Sequence, residues 1–302
     1  MQSDHADKLN LQLNVFAFSH MKSYLNLGCG ERFHPAWTNI DFTSSGPEVV
    51  VCDLRDGIPF PDNTAQVVYH SHILEHFSHE NARTFLRECR RVLNPGGIIR
   101  VVVPDLESLV ATYQRALERA AAGDEQWGHN YEYVMLELYD QAVRERPGGK
   151  LGDYLQQPSI PNLEFVLEQG GIDAQMIIDE ARRAASAVPT GAAPANTLAR
   201  LPRRLYGFLR RTGFGREALL RFILGAEYDA LRVGRFRLKG EPHLWMYDRY
   251  SLLKLLREVG FEGPQLLGPS QSQIPNWTEF HLDTEPDGAI YKPFSLYAEA
   301  RK

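Results

Sequence analysis

The apolar run Tyr24-Leu25-Asn26-Leu27 breaks directly into Gly28-Cys29-Gly30. A short strand that ends in Gly-x-Gly lets backbone N–H groups come close to a bound nucleotide. Trp37-Thr38-Asn39-Ile40-Asp41 and Val49-Val50-Val51-Cys52-Asp53-Leu54 read as two further strands, both carrying a carboxylate at their ends. Carboxylates so placed suit ribose hydroxyls and adenine edges. Ala65 to His70 and Gly97 to Asp105 read as the fourth and fifth strands, with an amphipathic helix pattern from Glu80 to Leu93 between them. Near-continuous apolar strands alternating with helices specify an α/β fold around a mostly parallel sheet buried on both faces.

Two common nucleotide fingerprints do not fit these residues. A dinucleotide fold calls for G-x-G-x-x-G, but position 33 is Phe, and Asp41 lies well short of the usual spacing of about 20 residues. A P-loop needs Gly-Lys-Ser/Thr, which this region lacks.

The pattern instead resembles the class I S-adenosylmethionine-dependent methyltransferases, in particular their broad type 11 group. The matching parts are Leu25 to Gly30, Asp41, Asp53-Leu54, Ser71-His72-Ile73-Leu74-Glu75-His76 and Arg91-Val92-Leu93-Asn94-Pro95-Gly96-Gly97. The resemblance implies a Rossmann-like, mostly parallel seven-stranded sheet flanked by helices, with S-adenosyl-L-methionine as cofactor. It places Gly28 and Gly30, with Asn26 and Cys29, against the amino acid part of the cofactor, Asp41 at the ribose, and Asp53 with Leu54 at the adenine. His70 and Ser71 complete the cofactor set. Asp41 and Asp53 can also be read as turn or capping acids. Two departures stand out: Asn26 replaces the usual first-strand acid, and Arg32 replaces the third glycine of the loop. The chain between Gly30 and Trp37 is also short for a parallel crossover, so a truncated first helix and a more open cofactor pocket are expected.

A net charge of -5 argues against a dedicated nucleic-acid binder, and DNA is not an expected partner. The three cysteines, Cys29, Cys52 and Cys89, do not form a disulfide framework, and a reducing cytoplasm fits them best. Residues 1–20 read as an N-terminal arm without a signal-peptide pattern.

The core pattern covers 21–121 and resumes over 241–302, with a helix at Arg249 to Phe261 and a last strand at Ser295 to Arg301. Residues 122–240 read as a helical insertion or lid, with helical pieces at Tyr131 to Val143 and Ile172 to Ala185 and a Pro/Ala/Gly-rich linker at Ala187 to Asn196. Over 200–239 this insertion is strongly basic. Arg200, Arg203, Arg204, Arg210, Arg211, Arg216, Arg221, Arg232, Arg235, Arg237 and Lys239 face only Glu217, Glu227 and Asp229. Leucines and phenylalanines are interleaved with them. Such a pattern reads either as the solvated face of a lid or as a surface for an anionic membrane, which would put the protein at the inner face of the membrane.

His72-Ile73-Leu74-Glu75-His76 also spells H-x-x-E-H, a zinc-hydrolase signature when both histidines share a helix face. In this frame the segment follows a strand instead, and no metal is expected. Methyl transfer requires an acceptor placed about 3 Å from the methyl group and a group to take its proton. His72, Asp105 and His243 are the candidates for the second task, with Tyr247 beside His243 on an acceptor wall. Asp105 also reads as a helix N-cap, and His76 as a structural histidine. No Asn/Asp-Pro-Pro-Tyr/Phe follows the fourth strand and no Pro-Cys nucleophile is present, which disfavours base-amine and cytosine-carbon chemistry. The expected reaction is methylation, chiefly at oxygen, of a small molecule or saccharide, lipid-linked forms included. A degenerate cofactor-binding protein that keeps the fold is the alternative, suggested by Asn26 and Arg32.

Overall fold

The computed structural model describes residues 22–186 and 214–302. Seven strands form one sheet in the order β3-β2-β1-β4-β5-β7-β6. They are β1 (Tyr24–Leu27), β2 (Thr38–Asp41), β3 (Val49–Val51), β4 (Ala65–Ser71), β5 (Leu93–Pro104), β6 (Glu262–Leu267) and β7 (Ser295–Arg301). β1 to β5 pair in parallel, and β7 runs antiparallel to both β5 and β6. The order reverses direction between β1 and β4, the kind of switch point at whose carboxyl side open α/β sheets bind ligands.

Leu25, Leu27, Val68, Ile99, Val101 and Val103 are buried in one core cluster with helix α1 (His79–Val92), whose inner face contributes Ala82, Phe85, Leu86, Cys89 and Val92. Ser78 caps α1 through its side chain. Helix α2 (Leu106–Ala121) follows β5, and helix α8 (Arg249–Val259) returns to the first cluster through Leu252, Leu255 and Leu256. On the other sheet face, Trp37, Val67, Tyr69, Val102 and Tyr297 pack with Trp277, Ile274 and Leu282.

Between α2 and α8 the chain builds α3 (Glu125–Met135), continued by a π-helical turn Leu136–Asp140, then α4 (Gly149–Leu155), α5 (Leu163–Ser186), α6 (Phe214–Leu224) and α7 (Glu227–Arg237). Tyr133, Leu151, Tyr154, Leu155, Ile160, Val166, Ala174 and Ile178 give the first part of this region a core of its own. α5 is kinked at Gly171, where φ is +59° and a Cβ would meet Pro293 at 2.4 Å. The expected arm at 1–20, the linker at 187–196 and Arg200 to Arg211 lie outside the described residues.

No helix forms between Gly28 and Trp37, so even the truncated one expected from the sequence is absent. Turns carry the chain from β1 to β2, fixed by side chains in place of helical hydrogen bonds. The Asn26 amide donates to the Arg32 carbonyl and to Asn39 Oδ1, both at 3.1 Å. An acid at position 26 could not donate either bond. Among the described residues, no helix is long and apolar enough to cross a membrane.

Candidate functional site

At the carboxyl ends of β1 and β4 lies a cavity of about 570 Å³, lined by Asn26, Gly28, Cys29, Gly30, Ser71 and His72, together with Arg32, Tyr69, Asp173 and Lys292. Gly28 and Gly30 both adopt positive φ, +63° and +53°. A Cβ on Gly28 would stand 2.1 Å from Ile73 Cδ1, whereas Gly30 faces open space. Gly30 donates its N–H to Asp41 Oδ2 at 2.8 Å, and Thr43 N–H reaches Oδ1 of the same carboxylate at 3.0 Å. Asp41 thus sits at the rim of the glycine loop. Cys29 is buried, and burial followed by the charge of Asp41 pushes its thiol up to about 12, so it packs and does not ionise.

Arg32 anchors this loop from outside. Its guanidinium donates to the carbonyls of Leu282 and Thr284 and pairs with Glu285 at 2.6 Å, while lying 4.1 Å from the Tyr291 ring. The departure from glycine at position 32 therefore joins the loop to the segment that leads into β7.

A second cavity, of about 460 Å³, opens beside the first, between the insertion and the core. Tyr133, Glu137, Gln141, Arg144, Phe294 and Ser295 line it. His72, Asp173, Ile177, Glu180 and Lys292 line both cavities, so they form the wall that the two share. His72 holds a left-handed backbone, φ +55°, unusual for a non-glycine residue. Its Nε2 lies 2.9 Å from Ser295 Oγ, and its Nδ1 3.4 Å from Glu75 Oε1. Burial, then the nearby Lys292 charge, holds the imidazole well below its usual range.

The remaining expected residues stand elsewhere. The His70 side chain is fully buried on the α1 side of the sheet against Phe85, with ring centroids 5.1 Å apart, because strand alternation turns it away from Tyr69 and Ser71. Asp105 caps α2: Oδ1 accepts from Glu107 N–H and Oδ2 from Ser108 Oγ, which is the helix-cap reading and not an acceptor contact. His243 and Tyr247 are buried and line neither cavity. Asp53 caps the turn Leu54–Asp56 and is gripped by Arg55, with Nη2 at 2.6 Å, which holds its carboxyl below the usual range. Arg55 in turn donates to the Leu238 carbonyl of the insertion. Leu54 lies in that turn and packs at the edge of the first core cluster. The H-x-x-E-H segment lies on a left-handed residue and a single 3-10 turn, Leu74–His76, so it lacks the helix that a zinc-hydrolase pair requires.

Sequence reasoning missed Asp173, Lys292 and Ser295. They come from α5, from the segment before β7 and from the first residue of β7, more than 100 residues from the glycine loop, and carry no local pattern. Lys292 Nζ pairs with Asp173 at 3.7 Å across the shared wall.

A sheet of order 3-2-1-4-5-7-6 with an antiparallel β7 and a glycine-loop cavity after β1 defines the Rossmann-like class of α/β methyltransferase. Residues 25–101 match the family described as "Methyltransferase domain". Over that stretch the chain carries a methyltransferase domain, for which S-adenosyl-L-methionine is the cofactor. Among solved structures, it is similar to an S-adenosylmethionine-dependent methyltransferase from Archaeoglobus fulgidus, with 11% identity over 98% of this chain and 94% of that one and a TM-score of 0.36. Another, from Mesorhizobium loti, shows 15% identity over 92% and 90%, with a TM-score of 0.32. No curated protein matches the chain.

Proposed function

We propose that the chain methylates an oxygen of a small-molecule or saccharide acceptor, lipid-linked forms included. The supporting observation is the shared wall: His72 faces both the glycine-loop cavity and the second cavity, and its Nε2 meets the hydroxyl of Ser295. The first cavity falls within the ~300–1,000 Å³ of ordinary ligand sites, and Gly30 leaves backbone open where a larger residue would intrude. The cofactor, when bound, supplies an electrophilic methyl on a sulfonium.

In this reading Gly28, Cys29, Gly30 and Asn26 hold its amino acid part, Asp41 its ribose, and Asp53 with Leu54 its adenine end. Phe42, exposed directly after Asp41 and with its ring 5.7 Å from the Arg55 guanidinium, offers a flat apolar surface at that end. Ser71 places its hydroxyl on the same cavity. His72 takes the proton that the acceptor hydroxyl gives up as its oxygen bonds to carbon, and Lys292 with Asp173 orients the acceptor. The insertion, 122–240, serves as the acceptor lid. Its basic part meets an anionic membrane surface: Phe222 and Ile223 are exposed on α6, with Arg216 and Arg221 on the same helix.

The test is transfer of labelled methyl from S-adenosylmethionine to a panel of hydroxylated metabolites and saccharides by wild type, His72→Ala and His72→Gln. The reading requires turnover to fall about 100-fold or more in both variants with cofactor affinity unchanged. Equal turnover in His72→Ala would remove His72 from the reaction. Methyl found only on nitrogen or carbon would overturn the oxygen assignment.

A further inference from the structure

Behind the His72 wall, the structure gathers Glu75, His76 and His243, with one donor atom from each lying within 4.8 Å of the others. This is the single grouping of its kind among the described residues. We infer that Glu75, His76 and His243 bind a divalent first-row transition metal ion.

Three observations carry the inference. First, Glu75 is fully buried, and neither carboxylate oxygen has a hydrogen-bond partner among the described residues. A buried, unpaired carboxylate is costly, and metal coordination is one of the few ways to compensate it. His72 Nδ1, 3.4 Å from Oε1, makes no aligned bond to it.

Second, the carbonyl of Pro242 lies 3.4 Å from His76 Nδ1. A proton on Nδ1 directed at that carbonyl leaves the Nε2 lone pair available. A carbonyl behind one ring nitrogen is the usual outer support of a metal-binding histidine.

Third, the ligand-bearing segments are fastened together by their backbones. Leu244 N–H and Trp245 N–H both donate to the Glu75 carbonyl, at 2.7 and 3.1 Å, and His243 N–H donates to the Gln141 carbonyl at 2.9 Å. The His76 and His243 rings meet edge to face with centroids 4.9 Å apart. Donors on a common ion, at about 2.0–2.2 Å each, stand roughly 3–3.5 Å from one another, so modest side-chain rotation closes the set.

Two imidazoles and one carboxylate suit zinc, iron, cobalt or manganese better than magnesium or calcium, which favour all-oxygen sites. Two cationic groups are also close and would oppose a metal ion. Arg144, however, is paired with Asp140 at 3.4 Å and Glu241 at 3.1 Å, and Lys292 with Asp173 at 3.7 Å. Both are thus paired with carboxylates, whereas the Glu75 oxygens have no hydrogen-bond partner among the described residues. The inference is independent of the acceptor reading.

The test uses chelator-treated, tag-free full-length protein. It measures Zn²⁺ and Mn²⁺ binding by calorimetry and the visible absorption of added Co²⁺. His76→Ala and His243→Gln are the variants, with His129→Ala, a half-exposed histidine away from the cluster, as control. The expected result is one ion per chain in wild type and His129→Ala, with affinity at least 10-fold weaker in both cluster variants. Circular dichroism and S-adenosylmethionine binding report whether each variant is folded. Folded wild-type protein that binds no more metal than the cluster variants would overturn the inference. So would Co²⁺ spectra unchanged by His76→Ala or His243→Gln.

Discussion

Gly30 donates its backbone N–H to the Asp41 carboxylate at 2.8 Å, which ties the loop after β1 to the end of β2 across 11 residues that contain no helix. The bond is local, neutral to charged, and at the rim of the cofactor cavity. Asp41→Ala should weaken S-adenosylmethionine binding by at least 10-fold, from loss of the loop anchor and of the ribose contact proposed for it. Calorimetry on wild type and variant measures it; unchanged affinity would move the ribose elsewhere.

Gly28 has φ +63°, and its missing side chain is what leaves room for Ile73. In Gly28→Ala the added methyl overlaps Ile73 and the backbone is strained as well. A stability loss of about 1–3 kcal/mol is expected, with weaker cofactor binding. Urea unfolding followed by calorimetry separates the two effects. Gly30→Ala meets no such neighbour and should cost stability only through its backbone.

Arg100 is fully buried in β5 and pairs with Asp283 and Glu299, both at 2.8 Å, while also reaching the carbonyls of Gln271, Gly268 and Pro269. Arg100→Met strands two buried carboxylates and should destabilise by about 3–5 kcal/mol. Burial pushes the Asp283 carboxyl up, and Arg100 opposes that shift. The variant should therefore recover part of its loss at acid pH, where Asp283 can be protonated. A urea series at several pH values tests both statements.

Burial lowers the His70 imidazole to about 3. An unfolded histidine near its usual pKa of about 6.5 binds a proton that the folded one refuses. Stability from this group is therefore complete above about pH 6.5 and is lost as pH falls toward 3, by at most about 1.4 kcal/mol per pH unit. His70→Leu should flatten the pH dependence of unfolding in that window relative to wild type. Parallel curves for the two proteins would mean that His70 does not titrate differently on folding.

Much of the frame is written in local pattern. The apolar runs of β1 to β5, the α1 periodicity and the glycine closing α8 act through neighbours within one element, where period and turn chemistry decide. Asp248 is legible for the same reason, since it caps α8 in a reciprocal box with Ser251. The glycine loop, Asn26, Ser71 and His72 likewise come together because they close adjacent parallel strands.

Other features depend on pairings between distant segments. Ile98-Ile99-Arg100-Val101 reads as an apolar strand with an anomalous arginine, and only Asp283 and Glu299, nearly 200 residues away, explain its burial. Asp105 and His70 have the right chemistry at the right strand ends, but helix capping and strand alternation take their side chains elsewhere. Asp173, Lys292 and Ser295 reach the His72 wall through α5, the approach to β7 and the start of β7. Sequence by itself determined the strand-and-loop scaffold, because that rests on short-range periodicity, while the cofactor was implied only by the family resemblance its motifs carry. Tertiary structure alone decided the shared wall, the buried Arg100 network and the Glu75-His76-His243 cluster, because each is closed by long-range packing that no local pattern encodes.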